Sequence, residues 1–122
     1  GLDQAMRAEL LAVLDGLHAR GITLLLATHD IDFAYRWADA IHLMDAGRCT
    51  ASFSATALAG DGAAADALTA AGMPLPGVVA LHRCLARHGL DAASPLPRSL
   101  DDVIEHLNTM EWPAQRTRCP QA

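Results

Sequence analysis

The sharpest chemical signal in this chain is Thr28-His29-Asp30, a polar triplet that ends the apolar run Ile22 to Ala27. A run of this kind after a helix and a glycine predicts a strand buried on both faces, as in parallel sheets. In open α/β sheets, ligands bind outside the carboxyl ends of the strands, so His29 is placed to touch one. An imidazole there can donate a hydrogen bond to a phosphate oxygen and so register whether that oxygen is present. The competing reading is a histidine that bonds a nearby carbonyl. Asp3 is the second candidate, at the head of a helix it can cap. His82, Cys84 and His88 share one predicted helix. The spacing of six between the two histidines does not bring them onto one face as i, i+4 ligands would be, so no metal site is expected.

Other chemistries are excluded by composition. All nine basic residues are arginine, and without a lysine the chain cannot hold a G-x-x-x-x-G-K-[ST] phosphate loop. The formal charge of −5 argues against nucleic acid. Cys49, Cys84 and Cys119 are too few and too scattered for a zinc site or a disulfide framework, which favours a reducing compartment. No apolar run reaches the roughly 18 residues of a membrane span. The start at Gly1, with no methionine, reads as a cut through a longer protein.

The elements that would position these residues follow from periodicity. Met6, Leu10, Val13, Leu14 and Leu17 recur at helical spacing over 4–20, with Asp3 as N-cap and Gly21 as stop. The strand 22–28 follows. Asp30 then caps a helix over 31–38 that presents Ile31, Ala34, Tyr35 and Ala38. Ile41–Met44 is a strand, Asp45-Ala46-Gly47-Arg48 a tight turn, and 48–53 the return strand. After Phe53 the composition shifts. Residues 55–72 predict one or two short helices broken near Gly60-Asp61-Gly62. Pro74 and Pro76 open a helix over 77–88 with a Val78, Leu81, Leu85 stripe. Ser99 caps a last helix over 100–108, with Asp102 completing a capping box and Leu100, Val103, Ile104 and Leu107 inward. The organisation expected is an α/β part over 1–54, a helical appendage over 55–110, and a disordered tail over 111–122. Trp37 and Trp112 are expected to be packing residues.

The order Gly1-Leu2-Asp3, amphipathic helix, Gly21-Ile22-Thr23, Thr28-His29-Asp30, Ala38-Asp39, Ile41-His42-Leu43-Met44 and Gly47-Arg48 resembles the end of an ABC-type ATPase domain. The resemblance covers residues 1–54. It implies the C-terminal part of a P-loop NTPase fold with parallel strands. It also implies that Asp3 is the D-loop residue at the interface between two ATPase domains, and that His29 is the switch histidine, both catalytic and in contact with the γ-phosphate. Gln4 departs from the proline most common there. The Walker A, Q-loop, signature and Walker B motifs are absent. Ala71-Gly72-Met73-Pro74-Leu75-Pro76, Val78-Val79-x-Leu81, Leu85, Gly89-Leu90 and Pro97-x-Ser99-Leu100-Asp101-Asp102 look like the C-terminal extension of cobalt- and nickel-type energy-coupling-factor ATPases, and Ile31-Asp32 and Ala34-Tyr35 fit the same group.

What the resemblance implies is one portion of an ATP-hydrolysing subunit of a metal-ion importer. The complete subunit would use ATP and Mg²⁺, pair with a second ATPase subunit and dock on an integral membrane component at the cytoplasmic face. This chain alone is expected to bind no cofactor and to be inactive. The open alternatives are a non-catalytic interaction or dimerisation module, or an ABC ATPase serving another substrate or DNA repair.

Overall fold

Caps and turns set most of the element boundaries in the computed structural model, which describes residues 3–60, 62–89 and 96–110. Helix α1 spans Gln4–Ala19. The Asp3 carboxylate accepts from the Met6 amide at 2.8 Å, satisfying one of the donors a helix start leaves open. At the other end Gly21, at φ +82°, closes the helix. Its amide bonds the His18 carbonyl at 2.8 Å and the Ile22 amide bonds Leu17 at 3.2 Å. This paired closure satisfies two open carbonyls and needs a left-handed residue, which glycine adopts without strain.

Residues 22–28 do not form a strand. They pair with no neighbouring strand among the described residues, and a strand exists only as a member of a ladder. Their side chains are correspondingly exposed: Leu25 is 90% exposed, Ile22 43% and Leu26 42%. The parallel strands expected from the sequence are therefore not found among the described residues. The sheet is one antiparallel pair, β1 (Ala40–Asp45) and β2 (Arg48–Ser54). Ala46 and Gly47, both at positive φ, make the two-residue turn that suits the twist of a hairpin. A bulge on β2 shifts the register between Leu43↔Ala51 and Met44↔Cys49.

Helix α2 spans Ile31–Trp37, α3 Ala57–Gly60, α4 Gly62–Ala70, α5 Gly77–Arg87 and α6 Leu100–Thr109. The two short helices expected within 55–72 are α3 and α4, and Asp61 between them lies outside the described residues. The Ser99–Asp102 capping box is formed in both directions. The core joins Ile31 and Tyr35 of α2, Ile41 and Leu43 of β1, Leu58, Leu68 and Val79 of the following helices. It thus draws on residues on both sides of position 54.

Three expected stripes are displaced. On α1 Leu14 is buried, but Met6, Leu10 and Val13 are exposed, because nothing among the described residues packs over them. On α5 the buried residue is Val79, with Val78 half-buried and Leu81 exposed. On α6 only Val103 is buried, while Leu100 and Ile104 stay exposed. Each of these helices meets the core along an edge narrower than its apolar face. The expected disordered tail, with Trp112 and Cys119, lies outside the described residues, as do Gly1 and Leu2.

Candidate functional site

His29 sits at the apex of a short local turn. The Asp30 amide donates to Thr28 Oγ1 at 3.0 Å, and the Asp30 carboxylate in turn accepts from the Phe33 amide at 3.0 Å to cap α2. Asp30 is itself extended and the helix begins at the next residue, and His29 is left exposed. No hydrogen bond to the imidazole is formed among the described residues.

Asp30 also accepts an ion pair from Arg7 of α1 at 2.9 Å. Its carboxyl is held below its ordinary value of 3.8, chiefly by the Phe33 amide; burial opposes this, and the hydrogen bond and charge of Arg7 add to the lowering. Arg7 lies one turn after Asp3, and the Arg7 amide bonds the Asp3 carbonyl at 3.0 Å. The two candidates are therefore connected through a short relay of caps: Asp3 starts α1, and Arg7 of that helix holds Asp30, the residue after His29. Asp3 itself is exposed, its carboxylate turned to its own helix. Trp37 Nε1 donates to Asp15 at 2.9 Å, a second tie between α1 and α2. An open cleft of ≈ 620 Å³ lies between these helices, with Arg7, Asp15, Arg36 and Trp37 on its walls and Asp3 and His29 outside it.

Arg98 carries no local motif and was not singled out by sequence. Its Nε donates to the Tyr35 carbonyl at 2.8 Å and its Nη2 to the Ala38 carbonyl at 2.6 Å, closing the C-terminal end of α2. Only its place 60 or more residues away in the chain hid it. Among the described residues no group of three or more His, Cys, Asp or Glu could hold a metal ion. His82 is partly buried, and neither ring nitrogen has a hydrogen-bond partner among the described residues.

No protein-family model matches the chain. Individual relatives do. A Streptomyces coelicolor protein bearing the name of an ABC transporter ATP-binding protein is 42% identical over 105 residues, 84% of this chain and 35% of that protein. This chain is a homologue of ABC transporter ATP-binding proteins. The cobalt import ATP-binding protein of Rhodobacter capsulatus is 38% identical over 108 residues, 88% of this chain and 38% of its own length. The energy-coupling factor transporter ATP-binding protein of Methanospirillum hungatei is 33% identical over 103 residues, 84% of this chain and 25% of its own length. The chain thus spans about a quarter to two-fifths of the relatives it matches. Homology to ABC ATPases implies a portion of a P-loop NTPase fold, and here that portion is six helices and one antiparallel hairpin among the described residues.

The residues present fit only one edge of a nucleotide site. An exposed imidazole can reach a phosphate, whereas the absence of lysine leaves the chain without the usual cation of a phosphate loop.

Proposed function

We propose that residues 1–122 are part of the ATP-hydrolysing subunit of an importer of the cobalt or energy-coupling-factor type. In this reading residues 1–54 belong to the ATPase domain and residues 55–110 form its C-terminal extension. The observation that carries it is similarity over 84–88% of the chain to relatives named for cobalt import and energy coupling. That similarity extends well past residue 54 and so includes the appendage. Nickel remains a second candidate ion on the same grounds of resemblance. The complete subunit would pair with a second ATPase, work with a membrane component and lie on the cytoplasmic face. No described helix is long and apolar enough to cross a membrane.

In the proposed mechanism His29 donates a hydrogen bond to the terminal phosphate of ATP. Thr28 and Asp30 hold the backbone turn that presents it, and Asp3 lies at the interface between the paired ATPases. Mg²⁺ bound with the nucleotide would neutralise charge on the phosphates. Phosphoryl transfer to water depends mainly on positioning and charge stabilisation, so one well-placed donor has a large share in the rate. In the complete subunit, His29→Ala is expected to leave ATP affinity and melting temperature close to wild type. Turnover should fall on the order of 10²–10³-fold, the usual effect of losing one preorganised donor. ATP affinity, melting and turnover measured on one preparation decide it. Turnover within a few-fold of wild type would falsify the assignment.

A further inference from the structure

Helix α2 begins immediately after the His29 turn and has only seven residues. A helix that short is unstable alone and takes its position from what holds it. Three side chains join it to the appendage. Asp32 Oδ1 accepts from the Gly77 amide at 2.6 Å, supplying α5 with the cap that its own Pro76 does not provide. The hydroxyl of the fully buried Tyr35 donates to the Pro97 carbonyl at 2.9 Å. Arg98 binds the Tyr35 and Ala38 carbonyls with its fork, and its guanidinium lies 5.3 Å from the centre of the Tyr35 ring.

A cation is well placed at these carbonyls, because a helix C-terminus carries partial negative charge and open acceptors. Arg98 is itself fixed, since its amide donates to Asp102 of the α6 capping box at 2.8 Å. Hydrogen bonds run from α6 through Arg98 to α2, and the α2 cap Asp30 is the residue that follows His29 in the chain. Lysine could not replace this fork, which makes two bonds in a fixed plane.

We infer that Arg98, with Tyr35, is a positioning residue for His29: the appendage sets the orientation of α2 and thereby the reach of the imidazole. This rests on the proposed role of His29, and the experiment separates the two. Arg98→Ala, Tyr35→Phe and His29→Ala are compared in the complete subunit by steady-state ATPase kinetics and by hydrogen exchange of the segments 29–38 and 40–54. Arg98→Ala is expected to lower kcat about tenfold with KM for Mg-ATP within about twofold of wild type, the loss of roughly one charge-assisted contact's effect. Exchange should accelerate in 29–38 and not in the hairpin. Tyr35→Phe loses one hydrogen bond but keeps its packing, so it should fold and move both readouts the same way by less.

Faster exchange in 29–38 with unchanged kcat overturns the inference while leaving the His29 role intact, provided His29→Ala is inactive. Equal acceleration in both segments also overturns it, because Arg98 would then be a general stabiliser. Full activity of His29→Ala removes both readings together.

Discussion

The hairpin with its appendage and the α1 face with residues 22–30 are built from similar apolar residues, yet they end in opposite environments. Leu58, Leu68 and Val79 are fully buried against α2 and β1. Met6, Val13 and Leu25 are 51%, 60% and 90% exposed. Apolar side chains of one kind therefore contribute to stability on one side and remain in water on the other. The candidate site lies on the second side, joined to the first through α2. The buried core and the candidate site thus occupy different regions of the molecule, and α2 is the element they share.

The comparison would break first in the core. Leu68→Ala removes a fully buried side chain and is expected to cost about 2–5 kcal/mol, because the cavity adds to the lost transfer energy. Chemical denaturation measures it, and a loss below about 1 kcal/mol would show that the buried side does not carry the stability.

Acid sharpens the comparison next. Asp30 and Asp102 are both held below 3.8, by the Phe33 amide and the Arg98 amide respectively as the largest cause. A carboxyl lowered in the folded state contributes stability above its unfolded value and loses it as pH falls through the folded one. Melting temperature should therefore drop as pH falls below 3.8. Asp30→Asn retains a capping oxygen but does not titrate, so its melting should vary less with pH than wild type. An unchanged slope would place the acid sensitivity elsewhere.

The smallest effect is expected at Leu25. In the 122-residue chain, Leu25→Ser should change stability by no more than about 0.5 kcal/mol and should reduce self-association, since exposed apolar strands invite pairing. In a longer protein that covers this segment, the same change should cost about 2 kcal/mol or more. Equal effects in both would show that no other part of the protein packs on residues 22–28.

Local features were legible in the sequence. Asp3, Asp30 and Ser99 cap helices as their side chains predict, because a cap reaches only two or three residues along the chain. The hairpin turn at Ala46-Gly47 was legible for the same reason. The strand expected at 22–28 depended on partners that periodicity cannot supply. The shift from Val78 to Val79 on α5 reflects where the helix meets α2 and α3, which its own stripe does not encode. For the candidate site, the Asp30 cap that follows His29 was legible. The Arg7–Asp30 pair and the Arg98 fork were not, since both are contacts between elements and arginine is as common on surfaces as at helix ends.

The bond from Asp32 to the Gly77 amide spans 45 residues of sequence. Helix α5 therefore receives its N-terminal cap from a residue of α2. Closing so long a loop costs entropy that local helix formation does not. Neither helix is complete before the contact: α2, with seven residues, is too short to be stable alone, and α5 gains this cap only on docking. Any chain emerging residue by residue would hold α5 uncapped until that contact is made.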